Sequence, residues 1–228
     1  MGYFWTERLK EVIGSDKAAA KLYQLETGKN INQLYIDTFH GDNKQKGTLF
    51  EFYIFKHLYK IKGYHRFLFN VYLPSKNGTT EVDVIFIHEK GVFVFECKNY
   101  SGSIYGKQDS FKWTQYFNNR KNSFFNPIKQ NEIHIHALKD IVDIDEKNYL
   151  SFIVFSDRAK LKIEYDPYRL LVDNATNTII ELKKVLKKLD VCFSKNDIDK
   201  MYNLLIDYSH VSQEVKNQHI NHIQNEYK

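Results

Sequence analysis

Apolar residues recur along this chain with two periods. Near the N-terminus Trp5, Leu9, Val12 and Ile13 are spaced by three and four, and strong helix formers continue from Ala18 to Leu25, so residues 1–40 read as helical. Gly41-Asp42-Asn43 interrupts the pattern. Lys46 to Ile61 then reads as a largely buried helix stopped by Gly63, with Glu51 on the same stripe as Ile54, Phe55 and Leu58. From Phe67 the pattern changes to short β-branched and aromatic runs. Phe67–Leu73 is bounded by the turn cluster Pro74 to Gly78, and Val82–Ile87 and Val92–Cys97 are separated by Gly91 and its polar neighbours. Asn126-Pro127 opens a helix of about 15 residues, because proline suits the first helical turn. Leu150–Phe155 is a buried-strand run, and Leu161–Val172 adds strand-like segments. Thr178–Leu189 is amphipathic, and Ser194 with Asp197 three residues on marks a helix start leading into Ile198–Tyr208. From His210 the chain is polar and predicts a loosely attached helix. Helix, three strands, helix and strand make an α/β (α+β) core, a central mixed β-sheet flanked by helices.

The two runs around Gly91 hold charges where strands usually hold apolar side chains. A two-residue turn pairing His88 with Gly91, or a four-residue turn pairing Ile87 with Val92, gives one and the same antiparallel register. Asp83 then faces Glu96, and Glu81 faces Lys98. Like charges directly opposite destabilise a sheet, whereas a hard divalent cation is held by one or two carboxylates plus water and phosphate. The register therefore predicts a site for Mg²⁺ or Mn²⁺ built from Asp83, Glu96 and the Cys97 carbonyl. Lys98 beside it would orient or deprotonate a water, or neutralise developing charge. The chemistry such a set serves is phosphodiester hydrolysis. A plain Asp83–Lys98 or Glu81–Lys98 ion pair is the structural alternative, but three acids against one lysine leave a carboxylate surplus. Glu51 is expected either to help bind or orient the metal or to sit at its helix rim against a lysine, since an unpaired buried acid is costly.

Composition places this site in a soluble globular setting. The 228 residues are 43% hydrophobic and 27% charged. No apolar run is long enough to cross a membrane, and the N-terminus has no signal-like apolar segment. Cys97 and Cys192 make no disulfide framework, so a reduced cytoplasmic location is expected. The net charge of +5 equals that of one window, Lys98 to Lys129, where six basic residues meet one acid. Aromatics interleave with those cations, a composition that suits phosphates and unpaired bases. Lys107, Lys112, Trp113, Arg120, Lys121 and Lys129 are the expected nucleic-acid contacts. A solvated basic face beside a packed sheet edge is the alternative. His134/His136 and His219/His222 are expected to be surface histidines. No Gly-rich phosphate loop, Gly-x-Ser-x-Gly elbow or His-Glu-x-x-His motif occurs.

Taken in order, Gly47 and Glu51, Glu81-Val82-Asp83, Phe95-Glu96-Cys97-Lys98-Asn99, Gly102 to Gly106, Trp113 and Asn126-Pro127-Ile128-Lys129-Gln130 resemble the nuclease-related (NERD) domain. That family belongs to the PD-(D/E)xK restriction-endonuclease-like superfamily. The resemblance implies a metal-dependent nuclease core in which Asp83, Glu96 and Lys98 match the signature. Glu51 matches the family's helix acid, and Gln130 a helix glutamine near the site. Val82 stands where many members carry proline. The expected organisation is a helical extension over 1–43, a nuclease core over 44–173 and a helical segment over 174–228. The expected activity is that of a Mg²⁺- or Mn²⁺-dependent DNA endonuclease or nickase, with nucleic acid as partner and a homodimer as the assembly to test. A non-catalytic nucleic-acid-binding protein on the same fold, or a nuclease restricted to structured DNA or RNA, are the other functions this pattern accommodates.

Overall fold

The computed structural model describes residues 17–33, 45–76 and 78–226. They divide into two compact units, one reaching to Lys62 and the other beginning at Gly63. In the first, helix α1 (Lys17–Thr27) meets helix α2 (Lys46–Leu58). Tyr23 is fully buried, edge-on to Phe52 at 5.3 Å and tilted against Phe55 at 5.8 Å. Much of the helix predicted over residues 1–40 lies outside the described residues.

The second unit contains two mixed sheets. The larger has the order β1-β2-β3-β7-β9, formed by His65–Ser75, Gly78–His88, Gly91–Lys98, Tyr149–Phe155 and Leu170–Asn174. Strands β1, β2 and β3 are antiparallel neighbours, while β3, β7 and β9 run parallel. A parallel neighbour requires a crossover, and helix α3 (Pro127–Lys139) lies within the one joining β3 to β7. The smaller sheet has the order β6-β5-β4-β8, from Arg120–Phe125, Lys112–Phe117, Gly102–Lys107 and Ala159–Glu164. Helices α4 (Ala175–Lys188), α5 (Lys195–Leu205) and α6 (Gln213–Glu226) follow. The Ser194–Asp197 capping box predicted from sequence starts α5.

Alternation along the strands divides the residues of the larger sheet between its faces. Ile85, Ile87, Val92 and Val94 pack with Ala137 and Leu138 of α3 and with Ile198, Met201 and Leu205 of α5. On the other face Phe86, Phe93, Phe95 and Phe152 form a chain of ring contacts at 5.0–5.9 Å. This is the mixed α+β architecture expected.

The second sheet was not expected. Strands β4 to β6 occupy the basic window, where Lys, Asn, Gln and Ser break up the apolar alternation that betrays a half-buried strand. Asn118 and Asn119, both at positive φ (49° and 59°), make the two-residue turn that pairs Phe117 with Arg120. The inner face of this sheet is anchored by Trp113, which is 1% exposed and lies parallel to Phe155 at 6.2 Å. A Cβ on Gly106 would stand 2.3–2.4 Å from the Trp113 ring. Gly106→Ala should therefore force the indole to shift and lower unfolding stability by about 1–3 kcal/mol. Urea denaturation checks this, and an unchanged midpoint would refute the close packing.

Candidate active site

The β2–β3 register is the one predicted, running from His88–Gly91 to Val84–Phe95. Regular pairing stops there. On the other side of β2 the ladder steps from Phe69–Val84 to Val71–Val82, with Asn70 at φ 49° across from Asp83. Asp83 thus lies where both neighbouring ladders are interrupted. Its carboxylate Oδ2 accepts the Cys97 backbone N–H at 2.7 Å. A side chain replaces a carbonyl in the ladder and draws the acid toward β3. Strand β3 itself stays paired with β7 through Lys98–Phe155, which fixes the direction of its side chains.

Glu96 and Lys98 point to the same face as Val92 and Val94, under α3. Glu96 is 1% exposed. Its Oε1 lies 2.5 Å from the Lys98 ammonium, which also donates to Gln130 Oε1 at 3.0 Å. Its Oε2 is buried with no hydrogen-bond partner among the described residues, and His134 Nδ1 stands 3.6 Å away. Burial pushes the Glu96 carboxyl above its ordinary pKa, with the Lys98 charge pulling the other way. Burial acts to lower the Lys98 pKa, but the charge of Glu96, helped by Tyr100 and Asp83, outweighs it and the net shift is upward.

Helix α3 supplies the roof. Asn126 caps it, accepting from the Ile128 N–H, while its amide nitrogen donates to the carbonyls of Lys107, Gln108 and Ser110 at 2.7–3.2 Å. Asn126 therefore ties the β4–β5 loop to the helix start, and Pro127 fits the first turn. Gln130 follows one turn later, facing Lys98. Asn131 donates to Val94 O at 2.9 Å and to Ser151 Oγ at 2.8 Å, locking the helix over β3 and β7. His134, fully buried, leans on Asn131 Oδ1 at 3.2 Å. Its pKa is lowered to about 3, first by burial and then by the nearby Lys98 and His219 charges, so the ring is neutral.

A cleft of about 630 Å³ is lined by Glu81, Asp83, Glu96, Cys97, Lys98, Gln130 and His134 among others. Sequence reasoning missed one wall. The C-terminal helix α6, expected to be loosely attached, places His219 and His222 in the lining. His219 is 5% exposed, packs edge-on to Tyr72 at 5.4 Å and contacts Thr79 O at 2.9 Å. Its Nε2 is 3.9 Å from Glu81, whose other oxygen accepts the Tyr72 hydroxyl at 2.6 Å. His134 and His219 are therefore interior residues, and the expectation of surface histidines fails for both; His136 is exposed as expected. Helical periodicity hides such burial when the apolar partners are on other elements.

The expected nucleic-acid contacts distribute differently, and none of the six is among the cleft-lining residues. Trp113 is a core residue, not a stacking platform: its ring is covered by Phe155 and Gly106, and its indole N–H donates to Lys107 O at 3.0 Å. Lys107, Arg120 and Lys121 are exposed on the second sheet, Lys112 is half-buried there, and Lys129 is half-buried on α3. Glu51 belongs to α2 in the first unit. It is half-buried, with Oε1 4.0 Å from where a Cβ on Gly47 would stand.

The donor set suits a hard divalent cation. Two carboxylates, Asp83 and Glu96, line one cleft with Cys97, and the buried Glu96 Oε2 has no hydrogen-bond partner among the described residues. Among the described residues no three His, Cys, Asp or Glu side chains form a complete ligand group. Such a cation needs only one or two carboxylates, the remaining positions being water and phosphate oxygen.

A mixed sheet carrying an acid on one strand and Glu-x-Lys on the next, roofed by a glutamine-bearing helix, defines a restriction-endonuclease-like core. Residues 46–156 match the model of the nuclease-related domain. The chain is also 29% identical, over 191 residues, to an uncharacterized protein of Bacillus anthracis, covering 81% of this chain and 86% of the relative. No solved structure matches.

The ion pair gives a direct test of the site in the absence of metal. Lys98→Met should cost about 3 kcal/mol, because it leaves a buried carboxylate without its cation. Glu96→Gln combined with Lys98→Met should recover much of that loss. Denaturation in a chelating buffer measures both, and additive losses would show the pair is not coupled.

Proposed function

We propose that the protein is a Mg²⁺- or Mn²⁺-dependent nuclease that hydrolyses phosphodiester bonds in DNA as an endonuclease or nickase. The observation that carries this reading is the lining of one cleft by Asp83, Glu96 and Lys98, with one buried Glu96 oxygen left without a hydrogen-bond partner among the described residues. The nuclease-related domain agrees with it in class.

Asp83, Glu96 and the Cys97 carbonyl would hold the cation. When bound, such an ion supplies Lewis-acid polarisation of a phosphoryl oxygen and lowers the pKa of a water. The protein's own residues do the rest. Lys98, held by two acceptors, Glu96 Oε1 and Gln130 Oε1, is placed as an ammonium that neutralises charge developing on the phosphoryl group. Gln130 gives the Lys98 ammonium a second acceptor beside Glu96. The Asn131 clamp and the neutral His134 ring fix the glutamate's surroundings. A reduced cytoplasmic setting belongs to the same reading. Among the described residues no helix is long and apolar enough to cross a membrane, and Cys97 and Cys192 form no disulfide.

Purified protein should nick or linearise plasmid DNA with Mg²⁺ or Mn²⁺ and not in chelator. Asp83→Ala and Lys98→Ala should each reduce cleavage by at least about a hundredfold, the scale expected when a charge-stabilising group is lost. Calorimetry should show Mn²⁺ binding that Asp83→Ala removes. Metal-independent cleavage, or full activity in both variants, would sink the proposal.

A further inference from the structure

The second sheet has an inner, packed face and an outer face that the hydrolytic cleft does not use. Pairing of Ser103 with both Tyr116 and Lys160, of Tyr105 with Lys162, and of Tyr116 with Lys121 puts all these side chains on the outer face. The contacts agree with the parity. Tyr105 and Tyr116 meet edge-to-face at 5.5 Å, and remain 38% and 47% exposed. Lys162 lies over the Tyr105 ring at 4.8 Å and donates to its hydroxyl at 3.0 Å, while Lys121 lies 5.9 Å from the Tyr116 centroid. Lys160 is exposed beside them. The one acid that these strands carry on this face, Glu164, is paired with Lys107 at 2.9 Å.

We propose that this outer face binds an unpaired nucleic-acid strand, with bases stacking on Tyr105 and Tyr116 and phosphates meeting Lys121, Lys160 and Lys162. Charge complementarity selects a polyanion. Two neighbouring exposed rings select one with bases free to stack, because a duplex offers no ring faces along its length. Two of the three lysines come from β8, outside the basic stretch of sequence and beyond the matched domain segment; the parallel β4–β8 pairing brings them in. Strand β6 connects the surface to the hydrolytic cleft. It carries Lys121 on the outer face, and three and four residues on, roughly 10–13 Å at strand rise, Phe124 and Phe125 line the cleft. A strand held on the sheet is thereby led toward Asp83 and Glu96. The inference rests on the nucleic-acid part of the proposed function and not on hydrolysis.

Fluorescence anisotropy in chelator separates the two, because binding is read without cleavage. The probes are labelled oligothymidine, labelled oligouridine and a hairpin duplex of equal length, titrated with the full chain. The wild type should prefer an unpaired strand; whichever sugar binds better identifies the nucleic acid, and either result agrees with the proposal. Tyr105→Ala/Tyr116→Ala should weaken single-strand binding at least about tenfold, the scale of losing two stacked bases, and change duplex binding little. Lys160→Glu/Lys162→Glu, at exposed positions and checked for an unchanged unfolding midpoint, should weaken binding and flatten its salt dependence. Unchanged affinity in the lysine variant, or equal binding of duplex and single strand, overturns the proposal. If plasmid cleavage fails while these losses appear, hydrolysis falls and the binding face stands. If cleavage succeeds and the variants bind normally, the binding face alone falls.

Discussion

A carboxylate that is 1% exposed needs a positive charge within reach, and that demand at Glu96 organises the second unit. Lys98 answers it from the same strand, and can do so because residues two apart on a strand share a face, which they do not on a helix. The arrangement holds only if β3 cannot twist. Pairing with β7 through Lys98 on one side and the Asp83–Cys97 bond on the other prevents that. Asn131 then fixes the distance from roof to floor, with one amide bonded to the carbonyl of Val94 and the hydroxyl of Ser151.

The Lys98 contact balances one of the two oxygens of Glu96 and leaves the other without a donor among the described residues. A buried oxygen without a donor costs about 1–3 kcal/mol, so the unit keeps a locally unfavourable group in place. Proteins tend to retain such a group where chemistry requires it, and electrostatically perturbed groups cluster at functional sites. The interrupted ladders at Asp83 have the same character. The strand gives up regular pairing where its side chain turns to β3, and Asn70, a residue type that tolerates positive φ, takes up the backbone distortion opposite.

Much of this was legible in the chain. The β2–β3 register follows from the turn around Gly91, and with it the shared face of Asp83, Glu96 and Lys98. The caps at Asn126 and Ser194 announce their helices through local chemistry. What could not be read depends on partners distant in sequence. Trp113 sits among lysines and tyrosines and looks like a surface aromatic, yet Gly106 and Phe155 enclose it. The strands β4 to β6 are too polar to show alternation, since their outer face is solvated and their inner face is short. The Asn118-Asn119 turn was the available signal for that hairpin. His134 and His219 are buried by elements they do not neighbour in sequence, so no local pattern reveals them.

Helix α6 lies beyond the segment that the nuclease-related domain model covers, yet it supplies His219 and His222 to the wall of the cleft. The stretch that matches the family model and the stretch that shapes the cavity are therefore not the same length of chain. Two proteins could share every signature residue from Glu81 to Gln130 and still present differently walled clefts, because the residues closing one side come from a helix that the signature does not describe. Kinship in this case specifies the floor of the site, and individuality enters from the flank.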